Sequence, residues 1–344
     1  MPAVNKGKVL VSGCNGFIAV WVVKHLLEEG FSVRGTVRRE SSIPHLKDLF
    51  SSYGDKFEVV IVPDITKEGA FDEAVKGVDA IEHTASPFHM HADDPQEIIG
   101  PAVAGTVGML RSALEHANGT VKRVVVTSSC SAVLTVDPNH ERWYNEKNWN
   151  EQSICEVEAK GRNASNVDKY HASKSLAERA AWKFVEENRG AVNFDLVTMN
   201  PPYVYGPFLQ EVKRPEDLNT SILEFYGSVV KGTKTKEQLT NFSTGWVDVR
   251  NVSEAHVLAL QKPEAGGERI IVSCSEWVWQ DFVSAAHKFD PSLPAGDTSY
   301  DPRKAPYTTH FDNAKSKRIL GIEYHSIEEC TRDLLGQFKR LGWY

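Results

Sequence analysis

The 344-residue sequence has no apolar run long enough to cross a bilayer, no block of basic residues, no low-complexity tract and no internal repeat. These absences argue against a helical membrane span, against an electrostatic grip on nucleic acid or an anionic membrane surface, and against a solenoid. A signal-peptide pattern is also missing from the N-terminus. Cysteine is scarce: Cys14, Cys130, Cys155, Cys274 and Cys330 are odd in number, and no two have zinc-like or redox spacing. They read as reduced thiols, so a cytoplasmic location is expected. The Asn-x-Ser/Thr sequons at Asn118, Asn163, Asn219, Asn241 and Asn251 then read as chance matches. No metal is expected either, because His83, His89 and His91 lack a cysteine or carboxylate partner to complete a ligand set.

What is present is a composition able to bury a large core: 41% hydrophobic residues at a net charge of -7. Apolar strands are expected at 8–12, 31–37, 57–62, 79–84, 123–127 and 193–199. Helical patterns fall between them, from 17 to about 29, 68–76, 101–117 and 176–188, the last continuing the stretch that carries Lys174. Strands alternating with helices imply right-handed βαβ units and an α/β, Rossmann-type doubly wound parallel sheet. After Pro201 the pattern weakens. A helix is expected at 222–230, a short strand feeding a helix at 245–256 as if the chain returns to the sheet, a proline-rich loop at 291–306 and a helix at 326–341. The expected division is 1–200 with 243–265 as a dinucleotide-binding domain. Residues 201–242 with 266–344 form a smaller, discontinuous substrate domain.

Gly13 and Gly16 stand between the first strand and the first helix, in the order Gly-x-x-Gly-x-x-Ala ending at Ala19. Glycine there lets the backbone turn and approach a pyrophosphate, which a helix N-terminus stabilises. At the end of the second strand a binder of NAD puts an acid for the ribose 2′-hydroxyl. Here 31–39 contains no acid and three arginines, Arg34, Arg38 and Arg39, which suits a 2′-phosphate. Arg38 is the best placed, where the strand ends, and NADPH is the expected cofactor.

The fifth strand ends in Thr127-Ser128-Ser129, at the sheet edge where ligands bind in such folds. Tyr170-His-Ala-Ser-Lys174 follows. On a helix, Tyr170 and Lys174 share one face. An ammonium at ~4 Å, at an effective dielectric of ~20, is worth about 4 kcal/mol, roughly three pKa units. The spacing therefore predicts a phenol lowered enough to pass protons at neutral pH.

These motifs, with Val62–Thr66, His83–Phe88, Asn200–Pro207 and Trp246–Arg250, resemble the extended short-chain dehydrogenase/reductases over nearly the whole chain. Within them the chain looks like the fungal NADPH-dependent aldehyde and ketone reductases of the methylglyoxal/isovaleraldehyde type. Plant dihydroflavonol reductases are more distant. The resemblance implies hydride transfer from NADPH to a carbonyl carbon. Tyr170 would give its proton to the carbonyl oxygen, Lys174 would lower the tyrosine pKa and hold the nicotinamide ribose, and Ser129 would hydrogen-bond the oxygen. It implies cofactor contacts at Gly13, Asn15, Gly16, Phe17, Ile18, Arg38, Asp64, Ile65, Thr84, Ala85, Ser86, Thr127, Tyr170, Lys174, Pro201 and Val204. It implies a mostly apolar substrate wall of Phe88, Leu134, Val167 and Tyr203 beside Ser129, suited to small or medium hydrophobic carbonyl compounds. Plant dihydroflavonol reductases carry a polar residue where Leu134 stands, which argues against a polyphenol. Cys14 and Cys130 depart from the yeast enzyme's pattern, and Cys130 is expected to alter pocket size.

Two alternatives remain open. A nucleotide-sugar epimerase or dehydratase shares the fold and Tyr-x-x-x-Lys, but it usually keeps an acid for the ribose and a clamp of arginines for a diphosphate. Arg214, Arg250 and Arg269 are scattered in sequence. A non-catalytic NADP-sensing regulator usually loses the catalytic tyrosine. The expected partner is a small carbonyl compound, with neither nucleic acid nor membrane, and the chain is expected to be a monomer or homodimer.

Overall fold

Strands of three to six residues alternate with longer helices through the first two hundred residues. The computed structural model describes residues 3–86, 92–135, 137 and 140–344. The first half runs β1 (Lys8–Ser12), α1 (Phe17–Glu28), β2 (Ser32–Val37), α2 (Ile43–Leu49), β3 (Phe57–Ile61), β4 (Ala80–His83), α3 (Gln96–His116) and β5 (Arg123–Thr127). It continues with β6 (Arg142–Tyr144), α4 (Glu151–Lys160), α5 (Asn166–Glu187), β7 (Asp195–Asn200) and β8 (Tyr203–Tyr205). Then come α6 (Thr220–Phe225), β9 (Thr244–Asp248), α7 (Val249–Gln261), β10 (Arg269–Ile271), β11 (Ser275–Trp277) and α8 (Trp279–Phe289). The chain ends with β12 (Thr309–Phe311), α9 (Ala314–Leu320) and α10 (Ile327–Arg340). None of the described helices is long and apolar enough to cross a membrane.

Seven strands form one sheet in the order β10-β7-β5-β4-β1-β2-β3, with every pair parallel. Its strands are apolar because helices cover both faces. The order reverses between β1 and β4, so their carboxyl ends open a crevice. Around it stand Ser12, Val37, His83, Thr127 and Asn200, each the last residue of its strand. The helix that matters most, α5, starts cleanly because Ser165 caps it, its hydroxyl accepting from the Asp168 N–H at 3.0 Å.

Four expectations need correction. Residues 68–76 make successive turns, not a helix; Gly69 and Gly77 both have positive φ, which breaks helical propagation. The helix expected from Pro101 begins at Gln96, since a proline near the start of a helix removes only one backbone donor. The strand expected at 245–248 does not join the large sheet: β9 lies in a three-stranded sheet, β11-β9-β8. The return to the large sheet is made by β10, at 269–271, within the stretch assigned above to the smaller domain. Some of the tryptophans, scattered in sequence, come together in space. Trp246, Trp277 and Trp279 are fully buried together with Tyr205, Phe225, Phe282 and Phe338 in a second core.

A candidate active site at the carboxyl edge of the sheet

At the end of β1 the chain turns at Gly13 with φ of +63°. A Cβ there would sit 3.1 Å from that of Ala85, so only glycine lets the two turns touch. The Gly13 N–H donates to the Thr36 hydroxyl at 3.1 Å. No side chain caps α1 after Gly16, and its first turn carries no acid, so the N–H groups around Phe17 and Ile18 face the crevice with their dipole unopposed. Asn15 is exposed beside them and reaches the Ser42 hydroxyl. Cys14 points the other way: it packs where a Cβ on Gly35 would be, and burial pushes its thiol up to about 12. Sequence reasoning passed over Ser12. Its hydroxyl accepts from the Thr84 and Ala85 N–H groups at 3.0 and 2.9 Å, so it must donate to His83 Nδ1, also at 3.0 Å. That one hydroxyl fixes the turn through Ser86.

The three arginines at the end of β2 divide. Arg34 is committed to Glu58 and to the carbonyls of Ala74 and Lys76. Arg38 and Arg39 are exposed and make no hydrogen bond among the described residues, so Arg38 is free to meet a phosphate. Asp64 caps its own turn, accepting from the Thr66 N–H and hydroxyl through Oδ1, and these bonds hold its carboxyl below the usual range. Its other oxygen makes no hydrogen bond among the described residues. Ile65 packs on α3 at Gly105, where a Cβ would come within 2.9 Å of it.

At the ends of β5 and β7, Ser129 and Tyr170 meet. The side chains of Ser129 and Ser131 stand near enough to the phenol to act on it, both favouring its ionised form. Pro201 closes the far side, its carbonyl accepting from the Cys130 N–H at 2.9 Å, and Val204 is buried just beyond. The expected lowering of Tyr170 is not found. Burial raises its pKa and outweighs the two serine hydroxyls. The Lys174 ammonium stands 6.0 Å from the ring centroid, and burial draws its own pKa down to about 8. The expectation took an ammonium at ~4 Å and left out the cost of burying the phenol.

Lys174 lines a narrow cavity with His83, Ser86, Thr127, Ser128 and Glu178. His83 is held neutral, its pKa near 4, chiefly by burial and then by the Lys174 charge. Thr127 reaches His256 Nε2 at 3.1 Å, and His256 Nδ1 meets the buried Glu82 carboxylate at 2.6 Å. With Glu82 ionised and His256 neutral, the imidazole proton sits on Nδ1 and the Thr127 hydroxyl donates to Nε2.

The proposed substrate wall is partly assembled. Tyr203 is 39% exposed and packs edge-on against Phe242 and Trp277. It is close enough to Tyr170 for the two phenols to interact electrostatically. Val167 is exposed on the first turn of α5. Leu134 is half-buried against Cys130, Val133 and Tyr144. Phe88 lies outside the described residues. Cys130 does not shape the pocket: its thiol donates to the Asn200 carbonyl at 3.1 Å and is fully buried. Ser131 and Glu178 were missed. The run of serines and the i+4 step from Lys174 were their only sequence signals.

Known proteins are similar to this chain over almost its whole length. The model of the NAD dependent epimerase/dehydratase family matches residues 9–274. The NADPH-dependent methylglyoxal reductase of Saccharomyces cerevisiae is 35% identical over 342 residues, covering 96% of this chain and 97% of its own. A ketoreductase of Aspergillus niger is 37% identical, covering 95% and 96%. Among solved structures, yeast methylglyoxal/isovaleraldehyde reductase complexed with NADPH superposes with a TM-score of 0.85 at 34% identity, covering 98% of this chain and all of that one. The family model spans most of the chain, and the chain belongs to the NAD dependent epimerase/dehydratase family.

Proposed function

We propose that this protein is an NADPH-dependent carbonyl reductase converting small and medium hydrophobic aldehydes and ketones, of the methylglyoxal kind, to alcohols. The observation that carries the reading is the meeting of Ser129 and the Tyr170 phenol at the sheet edge, with Lys174 one helical turn beyond. The residues fit the cofactor: a turn at Gly13 that a side chain would block, an uncapped helix start without acids, and free Arg38 where a 2′-phosphate needs a cation.

NADPH supplies the hydride. Ser129 and Tyr170 hold the carbonyl oxygen between their hydroxyls, and Tyr170 releases its proton to that oxygen as negative charge grows there. A phenol with a raised pKa is fully protonated at neutral pH, which suits a proton donor in the reducing direction. The Lys174 ammonium then stabilises the phenolate left behind. Tyr203, Leu134 and Val167 present apolar surface to the substrate chain. Such an enzyme acts on its own in the cytoplasm, as monomer or homodimer.

Nothing in the site favours a nucleotide sugar. Arg214, Arg250 and Arg269 are each engaged internally, with Asp217, with Asp248 and Asp333, and with Glu178. A panel of methylglyoxal, aliphatic and aromatic aldehydes and prochiral ketones, assayed with NADPH and NADH in parallel, tests the proposal. Loss of NADPH absorbance with several of them is expected. No consumption across the panel, with NADPH still bound, would point instead to an NADP-sensing regulator.

A further inference from the structure

Glu178 has no part in the reaction as described, yet it is the most heavily engaged carboxylate beside the site. It is buried on α5, four residues after Lys174 and eight after Tyr170, and so lies on their face. Its Oε2 accepts from the Ser128 hydroxyl at 2.5 Å and from Asn200 Nδ2 at 2.8 Å. Its Oε1 accepts from the Thr198 hydroxyl at 2.9 Å and from Arg269 Nε at 2.6 Å. Asn200 Nδ2 also donates to the Ser129 carbonyl at 3.1 Å. The carboxylate therefore grips the strand end on both sides of Ser129.

Glu178 also lines the cavity into which Lys174 projects. Lys174 makes no hydrogen bond among the described residues. The groups facing it can be named element by element. Tyr170 and Glu178 come from α5 itself, neutral His83 from β4, Thr127 and Ser128 from β5 and its end, and uncharged Thr106 from α3. Arg269 on β10 stands behind Glu178. Among these, Glu178 is the one anion. Burial works against the ammonium, and the Glu178 charge works for it.

We propose that Glu178 is a positioning residue: its carboxylate is the buried counter-charge that keeps Lys174 an ammonium, and the acceptor that fixes the strand end carrying Ser129. The inference rests on the reductase reading for the role of Lys174.

The test compares Glu178→Gln, Glu178→Asp and the wild type. It uses the pH dependence of kcat/KM and, without substrate, the pH dependence of NADPH affinity by fluorescence titration. In Glu178→Gln the alkaline fall of both quantities moves about one pH unit lower, because the neutral amide no longer opposes desolvation of Lys174. Glu178→Asp keeps the charge but shortens the reach, so its alkaline fall stays at the wild-type pH while kcat drops. A uniform loss of activity in Glu178→Gln, with neither alkaline limb displaced, would reduce Glu178 to a structural residue and overturn the proposal. If Glu178→Gln does not fold, Glu178→Asp decides alone: an unmoved limb supports the counter-charge, a displaced one overturns it. The NADPH titration needs no turnover. Failure of the reductase reading, seen as a wild type inert on every carbonyl, is therefore distinguishable from failure of this one.

Discussion

Tyr170 carries a pKa raised by burial where the Tyr-x-x-x-Lys spacing alone predicts a lowered one. Desolvation acts on the hydroxyl directly, while the ammonium stands 6.0 Å from the ring centroid. Removing only the hydroxyl should therefore remove the proton donor and little else. Tyr170→Phe is expected to lower kcat by roughly 10²- to 10⁴-fold, with the NADPH dissociation constant within about twofold of wild type. Stopped-flow turnover and fluorescence titration measure the two; substantial residual turnover would refute the assignment. At the other end of the crevice, the Arg38 side chain makes no hydrogen bond or ion pair among the described residues. Arg38→Ala should raise KM for NADPH by roughly 10- to 100-fold, the worth of a charge-assisted hydrogen bond, and leave KM for NADH nearly unchanged. An equal rise for both cofactors would mean that Arg38 does not meet the 2′-phosphate.

At the level of elements, β4 and α7 share a buried acid. Glu82 and His256 are fully buried, and Glu82 Oε1 has no hydrogen-bond partner among the described residues. Burial raises the Glu82 pKa from 4.5 to about 7, against the smaller opposing pull of His256. A folded-state value above the unfolded one means that this group's contribution to stability is present in full below pH 4.5 and is lost as pH rises through 7. Glu82→Gln keeps an acceptor for His256 Nδ1 but cannot ionise. Relative to wild type it should gain about 3 kcal/mol between pH 4.5 and pH 8, read from urea unfolding at several pH values. A difference that stays flat across that range would show that Glu82 ionises normally. Such pairings also mark where the sequence stopped being legible. The turn at Gly13, the apolar β5 and the Tyr170–Lys174 spacing are local signals, so the crevice could be read. Glu82 meets His256 across 174 positions, and Glu178 meets Arg269 across 91, so neither pair leaves a trace in spacing. The stretch 142–160 was not read as structure because β6 has only three residues and pairs with β12, far along the chain. At 68–76 local apolar spacing suggested a helix, and two glycines in left-handed conformation prevailed.

On the scale of the whole molecule, the cofactor crevice lies at the seam between two cores. The core of the large sheet includes Val204 and Val247 from the small sheet, and Phe17 at the start of α1 packs against both cores. The Trp21 indole on α1 donates to the Pro207 carbonyl at 2.7 Å. The helix whose start is proposed to meet the pyrophosphate is thus packed on the segment that leads into the aromatic core of Trp246, Trp277 and Trp279. A ligand held at that seam stabilises both cores together, because neither can open without disturbing α1. At a free concentration a hundred times its dissociation constant, NADPH should add about 2.7 kcal/mol. That is a rise of several degrees in Tm for a chain of this size. The rise should be the same by tryptophan fluorescence, to which the second core contributes four of the eight tryptophans, and by far-ultraviolet circular dichroism, which reports the whole chain. NADH at the same concentration should give a smaller rise, since Arg38 gains no phosphate. Two separate transitions, with only the circular dichroism step moved by NADPH, would show that the aromatic core unfolds independently of the crevice.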